Sequence, residues 1–260
     1  MKIVVLCKYV PNATADRRFA EPDNTTDRVG VDGVLSELDE YAVEEAMTIK
    51  EAGEATVTIL TLGPAPAADA VRKALQMGAD AGVHVLDDSM RGSDALATSL
   101  VLARALQKMG EIDLVMTGMA STDGEMGVVP AMIAERMGLP HVGYLGDLTV
   151  ADGTITGRRD GDAAVEHVST ALPAVVSVTD QINEPRYPSF KGIMAAKKKP
   201  VETWSLADLG VTADEVGLSA AWTVVQTIAK RPPRGHGEVV ADDGSGGSRL
   251  VEFLASKKFV

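Results

Sequence analysis

A glycine-rich loop between a predicted strand and a predicted helix is the best candidate for ligand binding. It consists of Gly118, Met119, Ala120, Ser121, Thr122, Asp123, Gly124, Glu125, Met126, Gly127, Val128 and Val129. Its glycines let backbone N–H groups approach a ligand, and the helix N-terminus that follows attracts anions. Pro130 suits the first turn of that helix. The pattern predicts a cradle for a nucleotide phosphate, and it is equally typical of a plain strand-to-helix turn.

Two features limit this interpretation. The loop matches neither the dinucleotide fingerprint G-x-G-x-x-G nor the Walker A motif, and it lacks a lysine for the phosphates. Asp123 and Glu125 would repel a phosphate unless they point away from it or bind the ribose.

Two other segments follow predicted strands, where parallel sheets bind ligands. These are Cys7–Tyr9 and Leu62–Pro64. Cys7 has two interpretations, a pocket-lining residue or a small core residue, and the second is favoured because free cysteine is commonly buried. One cysteine also excludes an internal disulfide.

Other catalytic and metal-binding patterns are missing from the sequence. The four histidines, which are His84, His141, His167 and His236, do not have metal-ligand spacing and are interpreted as structural. There is no nucleophile elbow and no H-E-x-x-H motif. We therefore expect a protein that is not itself an enzyme and has no catalytic residues or metal site.

The segment Asn183–Lys199 is the most distinctive part of the chain. Two prolines, Pro185 and Pro188, predict a stiff, extended start. An aromatic residue, an Ile-Met pair and three consecutive lysines follow. Apolar side chains on an ordered loop beside positive charge predict a docking surface, although a run of charges is usually only solvated surface.

Alternating apolar runs and helical patterns define the fold class. The predicted strands are Ile3–Cys7, Thr56–Leu62, Gly82–Leu86 and Asp113–Thr117. The helices between and after them end at Gly53, Gly78, Gly110 and Gly138. This order predicts an α/β fold, a mostly parallel twisted sheet with helices on both faces. A polar stretch from Asn12 to Asp32 is predicted to be a functional loop.

The pattern changes after residue 148. Thr149–Thr156 is predicted to be a hairpin with an Asp-Gly turn. Val165–Leu172 and Pro173–Val178 are predicted strands, and this antiparallel section is expected to cap or extend the parallel sheet.

We place an α/β domain, including the docking segment, at residues 1–240 and a C-terminal arm at residues 241–260. Asp242–Ser248 is predicted to be a flexible linker. Leu250–Ala255 is predicted to be an amphipathic helix, which packs on its own domain or lies on a partner.

Charge and composition exclude several classes. The net charge is −12, which argues against nucleic-acid binding. There is no apolar run of about 18 residues, so no membrane insertion is predicted. The start Met1–Leu6 is too short for a signal peptide, and we expect a cytoplasmic protein.

Several motifs together resemble the electron-transfer flavoprotein beta subunit, in its actinobacterial branch. They are Asp39–Ala46, Gly63-Pro64 with Arg72–Asp80, Ser121–Gly124, Leu172–Val175 and Asn183–Lys199. The resemblance covers essentially the whole chain. It implies a Rossmann-like, adenine-nucleotide-binding fold and a heterodimer with an alpha subunit that holds most of the FAD. It also implies a buried, structural AMP in this chain.

The resemblance implies roles for particular residues. AMP would be held by Leu6, Cys7, Ser36, Glu37, Leu38, Asp39, Leu62 and the loop Gly118–Val129. The docking residues would be Arg186, Tyr187, Phe190, Ile193, Met194 and Lys197, with Phe190 entering a pocket of acyl-CoA dehydrogenases where many relatives have leucine. Electrons of fatty acid oxidation would pass onward to a quinone oxidoreductase.

The sequence departs from the family pattern at two residues of the loop that would hold the AMP phosphate. Many relatives have threonine and glutamine where this chain has Met126 and Val128, so backbone N–H groups are left to hold it. This weakens the case for a second FAD in an electron-bifurcating flavoprotein, which stays an alternative. A universal-stress-type ATP or AMP sensor, or an adenylating protein, is the alternative from another class.

Overall fold

The computed structural model describes residues 1–15, 17–21, 23–237 and 239–260. The polar stretch Asn12–Asp32, predicted to be a functional loop, includes Asp16 and Pro22, which lie outside the described residues. The chain divides into two compact units, residues 1–226 and residues 227–260.

The elements alternate as the sequence predicts through the first half of the chain. The strands are β1 (Lys2–Leu6), β2 (Tyr9–Pro11), β3 (Phe19–Ala20), β4 (Thr25–Thr26), β5 (Gly33–Leu35), β6 (Thr56–Leu62), β7 (Ala81–Val85), β8 (Leu114–Gly118), β9 (His141–Leu145), β10 (Asp147–Ala151), β11 (Thr154–Asp160), β12 (Val165–Ala171), β13 (Ala174–Val178) and β14 (Val201–Trp204). The α-helices are α1 (Glu37–Ala52), α2 (Ala68–Met77), α3 (Ala95–Met109), α4 (Val129–Met137), α5 (Phe190–Ala196), α6 (Gly217–Ala220) and α7 (Gly246–Ser256). Short 3₁₀ helices cover Ala65–Ala67, Asp88–Met90, Ala207–Leu209 and Ala213–Glu215.

A seven-stranded sheet forms the centre of the first unit. Its order is β14-β7-β6-β1-β8-β13-β9, and every pairing in it is parallel. The chain builds outward from β1 through β6 and β7, then crosses to the other side at β8. The strand order therefore reverses between β1 and β8, and such a switch point opens a crevice at the carboxyl ends of the strands.

Helices cover both faces of this sheet, as predicted. Because side chains alternate along a strand, Ile3 and Val5 of β1 pack with α1 and α2, whereas Val4 packs with α3 and α4. The strands contribute buried residues to both clusters, which explains why the central strands are continuous apolar runs. The α/β architecture is confirmed.

The second half of the first unit differs in part from the prediction. The hairpin is confirmed, since β10 and β11 pair antiparallel around Asp152 and Gly153, both with left-handed φ. With β12 they form a three-stranded antiparallel sheet. The placement of Pro173–Val178 in the antiparallel section is wrong, because β13 lies inside the parallel sheet between β8 and β9.

The docking segment and the tail also contain more helix than expected. Residues 183–189 form neither helix nor strand, and α5 begins directly after them. The tail helix α7 is confirmed, but it begins at Gly246, so the last three residues of the predicted linker belong to it. No helix among the described residues has both the length and the apolar character that a membrane crossing needs.

Candidate functional site

The carboxyl ends of β1, β6 and β8 bring the predicted ligand-binding segments together. Cys7 donates its N–H to the Leu60 carbonyl at 3.0 Å, and its own carbonyl accepts from the Thr61 hydroxyl at 2.7 Å, next to Leu62. The N-terminus of α1 closes on the end of β8 at Gly118. A Cβ there would lie 2.5 Å from the Leu38 carbonyl oxygen, so only glycine fits.

Ser36 occupies the N-cap position of α1, but its side chain makes no capping hydrogen bond. Its N–H donates to the Lys8 carbonyl at 2.8 Å, which ties the helix to the end of β1. The side chain is fully buried, and its Oγ has no hydrogen-bond partner among the described residues. An unpaired buried hydroxyl costs about 1–3 kcal/mol. A polar ligand at this helix end would satisfy it, and the residues present therefore fit a nucleotide.

Asp39 lies in the first turns of α1 and is buried. Its Oδ2 accepts from the Lys8 N–H at 2.7 Å. Burial raises the pKa of Asp39 to about 7, although hydrogen bonds from the backbone N–H groups of Lys8 and Gly118 oppose the rise. The carboxyl thus titrates near neutral pH.

Asp39→Asn is expected to change how stability depends on pH. The folded pKa of about 7 exceeds the usual 3.8, so between these values the folded state binds more protons than the unfolded state. The wild-type free energy of unfolding should therefore fall, relative to the variant, as pH rises from about 4 to about 7, by at most about 1.4 kcal/mol per pH unit. Urea unfolding across this range measures the difference.

Asp152→Asn, in the exposed hairpin turn, is the control for loss of one charge. A constant difference between wild type and Asp39→Asn from about pH 4 to about pH 7 would show that Asp39 titrates as an ordinary carboxyl.

Asp123 of the glycine-rich loop joins three distant parts of the chain. Its Oδ1 accepts from Lys8 Nζ at 2.8 Å, and its Oδ2 accepts from Arg28 Nε and Nη2 at 2.8 and 2.6 Å. The Asp123 side chain is 1% exposed. Burial acts to raise the pKa of Asp123, but the two cations outweigh it and hold the pKa well below its usual value. Lys8 and Arg28 therefore compensate the negative charge of Asp123, and the three groups together carry a net positive charge.

The rest of the loop is shaped by backbone geometry. Ser121 Oγ accepts from Lys8 Nζ at 3.1 Å and from the Gly124 N–H at 3.3 Å. Gly127 has φ of 64°, and the Tyr144 hydroxyl donates to its carbonyl at 3.4 Å. The loop ends at α4, with Pro130 in the first turn, as predicted. Met126 is exposed.

Three residues of this site escaped sequence reasoning. Lys8 supplies the lysine that the loop itself lacks, and Arg28 comes from the polar stretch before α1. Lys8 lies in Cys7–Tyr9, a segment that follows a predicted strand. No sequence spacing indicates that Arg28 contacts Asp123. Tyr144 lies in β9, a strand that the sequence pattern does not predict.

Cys7 and His84 are both buried. Burial raises the pKa of the Cys7 thiol well above its usual value, so the residue stays neutral. His84 Nε2 lies 3.0 Å from the Gly63 carbonyl and supports the turn after β6. Among residues 1–15, 17–21, 23–237 and 239–260, no group of three or more His, Cys, Asp or Glu side chains could hold a metal ion.

The docking segment, residues 183–199, presents an apolar tip to solvent. Ser189 caps α5 by accepting from the Gly192 N–H at 3.1 Å. Of the residues predicted to dock, five are exposed, and they are Tyr187, Phe190, Ile193, Met194 and Lys197. Phe190 is 81% exposed. Arg186 differs, because its guanidinium is paired with Glu44 and Glu51 of α1.

The three consecutive lysines also differ from one another in exposure and contacts. Lys197 and Lys198 are exposed. Lys199 instead donates to the Leu75 carbonyl at 3.0 Å, at the end of α2. Two of the three lysines therefore remain as positive charge beside the apolar tip.

Comparison with known proteins agrees with this architecture. Residues 23–209 match the family described as "Electron transfer flavoprotein domain". The chain belongs to the electron transfer flavoprotein family. Within it, the chain is 48% identical to "Electron transfer flavoprotein subunit beta" of Mycobacterium tuberculosis over 263 residues, which cover 99% of each chain. The predicted resemblance to the beta subunit is confirmed.

More distant relatives extend this family. The chain is 33% identical to "Caffeyl-CoA reductase-Etf complex subunit CarD" of Acetobacterium woodii, over 99% of this chain and 97% of that protein. It is 32% identical to "Protein FixA" of Azotobacter vinelandii, over 100% and 95%. Membership supports a role in electron transfer by a flavoprotein and implies an alpha subunit as partner. It favours this role over a stress-type sensor.

Proposed function

We propose that this chain is the beta subunit of a cytoplasmic, heterodimeric electron carrier that serves acyl-CoA dehydrogenases. FAD, held mainly by the alpha subunit, supplies the electron-carrying chemistry between the dehydrogenase and a quinone oxidoreductase. The beta subunit supplies the docking surface and a nucleotide-binding scaffold. The observation that carries the proposal is the exposure of Phe190, at 81%, on an ordered segment beside Lys197 and Lys198.

The docking segment has the composition of an interface centre. Large apolar side chains that are exposed on a folded protein mark binding sites, and aromatic anchors contribute most of the energy of many interfaces. Tyr187, Phe190 and Met194 are of this kind and stand together on one short segment. The two exposed lysines favour a partner with a negative surface, since charge around an interface steers association.

The scaffold role includes a structural AMP at the switch point. Support comes from the unpaired Ser36 hydroxyl, the glycine-only contact at Gly118 and the net positive charge around Asp123. Anions bind well where a helix N-terminus and cations converge. Lys8 and Arg28 compensate for a loop that has Met126 and Val128 in place of polar donors.

Co-expression with an alpha subunit is expected to give a yellow complex with about one FAD and one AMP per heterodimer. The complex would be denatured, and the released nucleotides identified by mass spectrometry and counted against protein. A colourless complex of intact subunits would refute the carrier function. ATP in place of AMP would favour a sensor, and two FAD per heterodimer would favour a bifurcating flavoprotein.

A further inference from the structure

Arg186 lies at the base of the docking segment and is fully engaged by α1. Its N–H and Nε both donate to Glu44 Oε2, at 3.1 and 2.8 Å, and Nη2 donates to Glu44 Oε1 at 2.9 Å. Nη1 and Nη2 also donate to the Glu51 carboxylate. Glu44 and Glu51 are two turns apart, so they share one face of the helix. The guanidinium lies across both of them.

Charge and burial indicate what this arrangement does. The Glu44 side chain is 11% exposed, so it needs a partner that stays in place. The hydrogen bonds that Arg186 donates to Glu51, and then those it donates to Glu44, raise the pKa of Arg186 above its usual value. One cation between two carboxylates leaves a net negative charge. Arg186 is therefore not a free positive group for a partner protein.

Other contacts pin the same segment at both ends. Asn183 Nδ2 donates to the Tyr41 carbonyl and to Glu45 Oε2, each at 3.1 Å. At the other end, Lys199 donates to the Leu75 carbonyl. Between them Gly192 approaches the Gln76 carbonyl so closely that a Cβ would collide with it. The segment is fixed to α1 and α2, and its apolar tip stands between these points.

We propose that Arg186, Glu44 and Glu51 form a clamp that holds the docking segment in its binding shape, and that Arg186 is a positioning residue that does not contact the partner. The inference rests on the proposed docking function of this segment. A clamped segment binds better because it loses less conformational freedom on association. Ser36 precedes the first residue of the same helix and Asp39 lies in its first turn, so α1 joins the proposed nucleotide site to the docking segment.

Three variants of the heterodimer test the clamp. Arg186→Gln and Arg186→Lys are each expected to raise the KM of a dehydrogenase for this carrier about tenfold, with kcat unchanged. Lysine keeps the charge but lacks the planar fork that pairs with two carboxylates. Glu51→Gln, at a 59% exposed side chain, is expected to raise KM about threefold without affecting folding.

Hydrogen exchange provides a readout that does not depend on activity. In Arg186→Gln the amides of Gly192 and Ile193, which donate to Ser189, should exchange about tenfold faster. FAD content should stay the same. Arg159→Gln, which breaks an exposed pair with Glu166 on the antiparallel sheet, is the matched control and should change neither quantity.

A double mutant separates positioning from direct contact. If the clamp acts as a unit, Arg186→Gln with Glu51→Gln should raise KM no more than Arg186→Gln alone. The proposal is overturned if Arg186→Lys keeps the wild-type KM, or if Glu51→Gln is silent while Arg186→Gln is not. If Phe190→Ala also leaves KM unchanged, the docking function itself has failed. If only Phe190→Ala raises KM, the clamp alone is wrong.

Discussion

Replacing Phe190 with alanine is expected to lower kcat/KM for electron transfer from an acyl-CoA dehydrogenase about 30-fold. Phe190 is the first residue of α5 and is 81% exposed, so its ring adds little to the fold. Burial of an aromatic anchor at the centre of an interface contributes about 2 kcal/mol, which corresponds to this factor. Steady-state assays with the heterodimer as electron acceptor measure the loss. FAD content and Tm should stay close to the wild-type values.

Two matched variants define the effect. Phe190→Leu keeps an apolar anchor of smaller size and should retain most of the activity with a partner whose pocket accepts leucine. Phe19→Ala removes another half-exposed phenylalanine, far from the docking segment in sequence, and should leave kcat/KM unchanged. Equal activity of Phe190→Ala and wild type would contradict the docking role of this residue.

The central strands could be predicted because they are buried on both faces. A strand of this kind is an apolar run between glycines, and the prediction Thr56–Leu62 matches β6 residue for residue. The edge strands lack this signal. β9 contains Gly143 and has an exposed Tyr144, and in β14 only Trp204 is even partly buried. Neither was recognised from the sequence.

The position of β13 shows a second limit. Its apolar run was recognised, but its neighbours were not, because the antiparallel strands β10–β12 separate it in the chain from β9, which it joins in the sheet. Consecutive strands usually pair with each other, and this one does not. Sheet order depends on contacts between distant residues, and local patterns do not reveal it.

The candidate site could likewise be predicted only in part. Segments that follow strands could be predicted, since topology alone brings Cys7, Leu62 and Gly118 to one edge. The side-chain contacts could not be predicted, because Lys8 and Asp123 are 115 residues apart in the sequence and Arg28 and Asp123 are 95 residues apart. The sequence predicts that Asp123 repels a phosphate unless it points away from it or binds the ribose. Its charge is instead cancelled by residues whose positions only the fold determines.

Asp123→Ala is expected to lower the free energy of unfolding by about 2 kcal/mol at neutral pH and to weaken retention of the proposed AMP. Removing one partner of a buried ion pair commonly costs about 3–5 kcal/mol, and the cost is smaller here because the side chains of Lys8 and Arg28 are 38% and 29% exposed. Both cations would then face each other without a carboxylate between them. Urea unfolding and the AMP content of the purified complex measure the two effects.

The pH dependence of stability, and a variant of the neighbouring carboxylate Glu125, test whether the contacts of Asp123 cause this loss. The pKa of Asp123 lies below its usual 3.8, so its contribution to stability is complete above about pH 4 and is lost as the pH falls further. The gap between wild type and Asp123→Ala should therefore be constant from about pH 7 to 5 and narrow in stronger acid. Glu125→Ala removes the same charge from an exposed position two residues away and should change stability by less than about 0.5 kcal/mol. Equal losses for the two variants would mean that loop charge alone, and not the contacts with Lys8 and Arg28, stabilises this edge of the sheet.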